Sequence, residues 1–489
     1  MERTTMRVRK NVNNISDGTL LWYSRAVEAM KQKDIKDPTS WWYQGAVHGF
    51  GLDNSPNLAP GKTWSELSVW QQATDFPPPE DLVDSIYWQQ CQHGTWYFLP
   101  WHRMYLQFFE QIVAKTVVEL GGPEDWTLPY WNYCDANNPA LNENEQLQAL
   151  KLPAEFGAEQ PNSDFPGLWM MERAHYKVSS KADASCEAAM QLKNFTTPIP
   201  SQSFGGVRTG FSHDSGTFGK LENNPHNLIH VDIGGAMGDP NTAALDPIFW
   251  LHHANIDRLW QSWIDQGREN TSDPSWLNQA FEFHDANGKP VTVQVKQVLS
   301  TEALGYTYSE NYPDVKARQE KDSKLFAMTP LAGNEMFDTI AATTKSFSLG
   351  SQATPAQLEF LPEKQQVAKV SALAKSSSQR PNQVIIALDN VTGSGVVAPL
   401  SIFVKTSAAP ERVLVGKVGL FGLTQASTPS VRHAGTGINV ELDATEAFNQ
   451  LRSQPDWSFE KVEIEIEPNR ELGEARVTVG RVSVKAEVV

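Results

Sequence analysis

The spacing of apolar residues changes once along the chain. Up to about residue 345 they recur every three or four positions, as in helices with one buried face. From about residue 384 they alternate with polar residues, as in half-buried strands. Ser16-Asp17-Gly18 precedes a predicted helix from about Thr19 to Lys33, with Leu20, Leu21, Ala26, Ala29 and Met30 in helical register. An aromatic helix is predicted over Trp41 to His48. Another runs from His102 to about Leu120, with Tyr105, Phe108, Phe109, Ile112 and Val113 on its apolar face and Gly121-Gly122-Pro123 ending it. Asn224 as cap and Pro225 at the first helical position open a helix bearing His226 and His230. Asp246-Pro247 open the one bearing His253.

Between residues 346 and 383 Ser, Gln, Ala and Lys dominate. This stretch reads as a linker with one helix near Pro355 to Ala374. Beyond it, 384–388, 400–404, 412–421, 438–442, 461–466 and 477–484 read as strands, which suggests a small antiparallel β-sandwich. The expected division is a helical catalytic domain over 1–345, a linker over 346–383 and a β-rich domain over 384–489.

Composition narrows the picture. The 489 residues suffice for a large core and more than one domain. With 40% hydrophobic and 20% charged residues the chain reads as globular, and its net charge of −16 argues against a nucleic-acid partner. No apolar run reaches the length of a membrane span, and the charged N-terminus shows no secretory leader. The three cysteines, Cys91, Cys134 and Cys186, are too few and of the wrong parity for a disulfide framework. A reducing cytoplasm is therefore the expected location.

The chemistry lies in the histidines. Seven of eleven fall in four stretches. His226 and His230 are four apart, so on a helix both imidazoles share one face. His252 and His253 follow on a second helix. Upstream stand His48, His93 and His102. Neutral imidazoles suit copper, zinc, iron or nickel. No acidic residue lies between His226 and His230 in the manner of His-Glu-x-x-His, which disfavours a zinc hydrolase.

The stretch from Asp246 to Trp260 closely resembles the CuB signature of type 3 copper proteins, and His93 to Arg103 resembles the CuA one. These proteins are the tyrosinases (polyphenol oxidases), catechol oxidases and haemocyanins, and the likeness extends over about residues 5 to 345. It implies a mainly α fold: a four-helix dicopper core with long loops, followed here by the β-sandwich domain. It implies two copper ions as cofactors, held by His48, His93 and His102 on one side and His226, His230 and His253 on the other. His252 would then support the ligands from behind. Dioxygen would be the co-substrate and a small phenol the substrate, with a homo-oligomer left open.

The resemblance also suggests roles for neighbouring residues. Glu222 and Asn227 would hold a water that accepts the phenol proton; the alternatives are a helix-dipole carboxylate and an exposed first-turn residue. Cys91, two before His93, matches a thioether-forming spacing, or is a small buried thiol. Phe249 packs over the imidazoles or simply in its helix. Pro240 falls near a pocket-gating position. Val231 stands where some relatives carry Arg, so the pocket rim would be less basic. Asn255 and Asp257 would hydrogen-bond behind the ligands, or Asp257 would pair with Arg258 at the surface. Tyr306 and Tyr308 would pack on Arg9 or Arg7. Phe421 would be a bulky side chain that the C-terminal domain inserts into the pocket as a lid, or else a core aromatic of the sandwich. The leading expectation is a tyrosinase acting on monophenols and o-diphenols. A catechol or o-aminophenol oxidase and a haemocyanin-like oxygen carrier remain the alternatives.

Overall fold

The computed structural model describes residues 6–50, 70, 72–73, 78–88, 90–171, 173–210, 217–312, 337–360, 383–406, 409–429, 434–453 and 459–487. A helical region and a C-terminal β region each bury a core of their own.

The helical region is built on Thr19–Lys31, Trp41–His48, Phe98–Glu119, Leu228–Ile233 and Ile248–Asp265. Each boundary has a local cause. The Ser40 side chain accepts from the Tyr43 amide and starts the aromatic helix. Phe98–Glu119 begins a turn before His102, because Pro100 in a first turn has no amide to lose. It ends as expected at Gly121, which takes a left-handed φ of 83° while the Gly122 amide folds back to the Val117 carbonyl. Asn224 is extended, as a cap should be, but its side-chain oxygen caps nothing. The helix carrying His253 is wholly buried from Ile248 to Trp263, with Trp250, Trp260 and Trp263 among its largest side chains.

A buried ionic lock joins two of these helices to the N-terminus. Strand β1 (Arg7–Arg9) pairs in parallel with β4 (Tyr306–Tyr308). Arg9 donates to Glu110 at 2.8 Å, to Asp257 at 3.3 Å and to the Tyr308 hydroxyl at 2.9 Å, and lies 3.8 Å over the Tyr306 ring. Arg103 also bonds Asp257. Arg9 is thus the arginine beneath the tyrosines. Before β4 in the chain, a hairpin of β2 (Ala280–His284) and β3 (Pro290–Gln294) packs Phe283 against Trp101 and Phe108 of the long helix.

The β region holds two sheets in which every pairing is antiparallel. One runs β11 (Ala409–Val418), β10 (Leu400–Thr406), β13 (Val462–Pro468), β7 (Thr354–Ala356). The other runs β12 (Ile438–Asp443), β9 (Val384–Ser394), β14 (Arg476–Glu487), β5 (Phe337–Ala342), β8 (Glu359–Phe360), with β6 (Phe347–Ser348) also on β14. Alternation located the main strands, but the linker expected over 346–383 is corrected. Residues 337–342, 347–348, 354–356 and 359–360 belong to the sheets, so the β region starts near 337. The rest of the expected 355–374 helix lies outside the described residues. Two short helices, Leu423–Ser427 and Thr445–Arg452, were not anticipated.

The two regions exchange one aromatic each. Phe421 of the β region belongs to the helical core, and Phe218 of the helical region belongs to the β core. A second correction concerns the cysteines: Cys134 and Cys186 form a disulfide, leaving only Cys91 free. Parity excluded a framework of bridges but not a single one.

Candidate metal centre

His48 ends its helix, His102 sits in the first turns of Phe98–Glu119, and His93 lies in the extended segment just before. Their ring centroids are 5.1 Å (His48–His93), 5.2 Å (His93–His102) and 5.7 Å (His48–His102) apart. His226 and His230 lie one turn apart at 4.5 Å, with His253 at 4.9 and 5.6 Å from them. The triads face each other: His102 stacks on His253 at 4.3 Å, and His93 is 5.9 Å from His226. Potential ligand atoms of His48, Cys91, His93 and His102 all lie within 4.8 Å of one another, as do those of His226, His230, His252 and His253.

The protons are placed for metal binding. Nδ1 of His48 meets the Pro240 carbonyl at 2.7 Å, that of His102 the Phe98 carbonyl at 2.8 Å, and that of His230 the Met237 carbonyl at 2.7 Å. Nδ1 of His226 meets the Asn227 side-chain oxygen at 2.8 Å. A carbonyl oxygen only accepts, so Nδ1 carries the proton and Nε2 keeps its lone pair. Nε2 of His48 and of His226 has no hydrogen-bond partner among the described residues. Burial lowers the His48 pKa to about 4. Burial, reinforced by neighbouring imidazoles, takes His102, His226, His230 and His253 well below the usual range. Two groups of uncharged imidazoles with bare lone pairs, and no carboxylate within either group, fit copper.

The structure separates the adjacent histidines. His253 turns toward the opposite triad, whereas His252 lies behind, with Nδ1 at 3.1 Å from the Tyr133 hydroxyl. Phe249 packs against His253 at 4.3 Å and His48 at 4.7 Å, so it borders both triads. Cys91 Sγ lies 3.5 Å from His93 Nδ1. Burial raises its thiol pKa well above the usual value.

Glu222 opens the helical stretch that bears His226, and its carboxylate reaches across to another segment. Its Oε1 accepts from the Gly94 amide at 2.8 Å, across 128 residues, while Oε2 has no partner among the described residues. Burial pushes this carboxyl well above the usual range. Asn227 is fully buried rather than exposed, and its Nδ2 also lacks a partner.

Other expectations shift. Pro240 acts through its carbonyl, which orients His48. Val231 is buried rather than at the rim, and its carbonyl accepts from Arg470 of the β region at 3.3 Å. A basic group therefore does approach this helix, from the other domain. Asn255 bonds Arg258 at 2.9 Å and Cys134 at 3.8 Å. The suggested surface pairing of Asp257 with Arg258 is wrong. Burial raises Asp257, but Arg103 and Arg9 outweigh it and hold the carboxyl below the usual range.

Phe421 sits in a turn after β11, not at the strand's end, and enters the space between the triads. It stacks on His230 at 4.0 Å and 16°, and lies 5.4 Å from His93 and 5.8 Å from His226. Close backbone approach makes this insertion feasible: a Cβ on Gly419 would lie 2.6 Å from the Asn227 backbone. Lys417 reaches the buried Asp183 at 2.8 Å, Arg470 the Asp232 carboxylate at 3.3 Å, and Gln425 Asp239 at 2.8 Å.

Some site residues escaped the sequence reading. Phe98 packs on His102 at 4.5 Å and His226 at 4.6 Å, and its place four before His102 was an available helical signal. Met237 contributes a carbonyl, which no side-chain pattern announces, and the same holds for the carbonyl role of Pro240, a residue singled out for another reason. Tyr133 had no motif of its own.

Comparison with known proteins agrees with this geometry. The common central domain of tyrosinase matches residues 38–266, the polyphenol oxidase middle domain matches 270–320, and a domain of unknown function matches 336–487. The chain is 45% identical to tyrosinase HcTyr1 of Hahella sp. (strain CCB-MM4), over 99% of this chain and 100% of that protein. It is 29% identical to chloroplastic catechol oxidase B of Solanum tuberosum, over 63% of this chain and 49% of that protein. Its fold is similar to that of latent apple tyrosinase, with a TM-score of 0.56 at 19% identity, covering 99% of this chain and 98% of the other.

Proposed function

The chain belongs to the tyrosinase family, and from that premise we propose that it ortho-hydroxylates small monophenols and oxidises o-diphenols to o-quinones with dioxygen, in a form kept latent by its own C-terminal domain. It is a copper-dependent oxidoreductase. The six Nε2 atoms of His48, His93, His102, His226, His230 and His253 would hold the two coppers, on a four-helix cradle of Trp41–His48, Phe98–Glu119, Leu228–Ile233 and Ile248–Asp265. Bound copper supplies the redox chemistry with dioxygen.

The residues around it handle the proton and the ring. A phenol with a pKa of about 10 must lose its proton to bind a metal as phenolate. Glu222 Oε2 and Asn227 Nδ2 are buried polar atoms without partners among the described residues, one accepting and one donating, and together they suit a water that takes this proton. The raised Glu222 carboxyl is the better base for being desolvated. Asn227 also fixes His226, and because it would help hold that water its loss would disturb hydroxylation more than catechol oxidation. Phe249 and Phe98 give the ring an apolar slot and exclude water.

The stacking of Phe421 on His230 carries the latency reading. A substrate ring needs the place that Phe421 fills. The test is Phe421→Ala in the full-length copper-loaded chain, assayed by oxygen uptake with tyramine and with a catechol. Catechol turnover should rise at least about tenfold, the equivalent of about 1.4 kcal/mol. Unaltered turnover of both substrates would remove the lid from the account. Catechol turnover without any tyramine turnover would make the enzyme a catechol oxidase and withdraw the proton role of Asn227.

A further inference from the structure

Residues 131–134 run along the helix that carries His253, and each bonds to it. The Trp131 amide donates to the Leu251 carbonyl at 3.1 Å. Arg258 donates to Asn132 Oδ1 at 2.7 Å. The Tyr133 hydroxyl meets His252 Nδ1 at 3.1 Å, and the Asn255 amide reaches Cys134 Sγ at 3.8 Å. The contacts at 251, 252, 255 and 258 follow one strip of the helix surface. The end of this splint is fastened, since Cys134 is bridged to the buried Cys186, 52 residues on.

His252 lies between the splint and the second triad. Its ring stacks on His226 at 5.2 Å and 24°, and meets His230 at 4.8 Å and His253 at 5.1 Å. It therefore touches all three rings. Two of those rings lack a backbone anchor: His226 leans on its neighbour Asn227, and His253 Nδ1 has no partner among the described residues. His48 and His102 of the first triad are both held by carbonyls.

We propose that Tyr133, pinned by the Cys134–Cys186 bridge, is a positioning residue for the His226–His230–His253 copper site: its hydroxyl fixes the His252 ring, and that ring holds the three ligand rings in register. Groups that orient ligands from behind are worth roughly 10–100-fold in metal affinity or activity. The inference rests on the copper assignment made above.

The experiment is timed copper release to a chelator from full-length, copper-loaded Tyr133→Phe, with metal content read against the wild type. The variant removes one oxygen from a buried site and leaves the ring. One copper of the two should leave about tenfold faster while the other keeps its wild-type rate. The kcat for a catechol should fall with KM nearly unchanged, because the substrate slot is untouched. A Cys134→Ala, Cys186→Ala double variant should speed release of the same copper. Equal wild-type release of both coppers from Tyr133→Phe overturns the proposal, as does an equal acceleration of both, which would mark general loosening. A wild type that fails to hold two coppers would overturn the copper assignment itself, and so is distinguishable from either result.

Discussion

The two histidine triads carry the same donor atoms and are supported in opposite ways. The first is gathered from three separate segments, yet His48 and His102 are each held by a backbone carbonyl. The second comes from one short helix and its neighbour, and only His230 has a backbone anchor. What it lacks in main-chain support comes from outside: His252 behind it, Phe421 in front, and Arg470 at the carbonyls of Val231 and Asp232. The first triad is thus a property of the helical core, and the second answers to its neighbours. A loop joins them, since Met237 holds His230 and Pro240 holds His48. The β region packs on that same loop, with Val396 where a Cβ of Gly238 would be and Gln425 on Asp239.

The largest effects should come from deleting one anchor on each side. His48→Ala and His230→Ala should each leave about one copper per chain and lower catechol turnover on the order of 10³-fold, the several kcal/mol a metal contributes. The difference lies elsewhere. Only His230→Ala removes the ring on which Phe421 stacks, so only it should speed limited proteolysis of the β region. Equal protease resistance in the two variants would show that docking does not depend on the second triad.

Next in size is a change that should ignore the distinction. Asp257 lies one turn beyond His253, Arg103 follows His102, and Arg9 bonds Asp257 directly. Removing one member of a buried ion cluster typically costs about 3–5 kcal/mol, because the remaining charges lose their partner. Arg9→Met strands the Glu110 carboxylate and leaves Asp257 with Arg103 as its one cation among the described residues, and it should lower thermal stability by that amount, with release of both coppers quickened alike. Arg9→Lys should rescue little, since one ammonium cannot replace the fork that spans both carboxylates. A melting midpoint unmoved in Arg9→Met would mean that the cluster contributes nothing net.

How much of this was legible in the chain follows from what each feature is made of. Helices with a wide apolar stripe announce themselves, and Thr19–Lys31, Trp41–His48 and Ile248–Asp265 lie close to where periodicity put them. The candidate ligand histidines were legible because His93, His102 and His253 sit in long motifs, while His48, His226 and His230 stand at helix-compatible places in the same order. The strands at 347–360 were not, because two- and three-residue strands carry too few alternations to count and are held by pairing with β14, β13 and β5, and β5 itself buries its residues without alternation. The disulfide was hidden by an odd cysteine count. Phe421 was singled out as either a lid side chain or a core aromatic, but only tertiary docking decides between a core and a pocket, and a single residue cannot encode that. The carbonyls of Met237 and Pro240 have no side-chain trace at all.

The smallest effect concerns the shared loop and carries a definite sign with pH. Burial raises the Asp239 carboxyl to about 6, while the Asn241 amide and Gln425 pull the other way. A folded-state value above the unfolded one means the folded chain binds that proton more tightly. The contribution of Asp239 to stability is therefore fully present below about pH 4 and is lost as pH rises through about 6. At about 1.4 kcal/mol per unit, the loss is about 1–3 kcal/mol. Asp239→Asn keeps an acceptor for Gln425 and removes the titration. Denaturant unfolding at pH 4.5 and 7.5 should then show the variant gaining about that much on the wild type at the higher pH. A difference that stays flat between the two would place the Asp239 carboxyl in water, and with it the seam between the β region and the loop that serves both triads. Such a result would leave the second triad dependent on Phe421, His252 and Arg470 for its outside support, and would separate the two supports that now act through one loop.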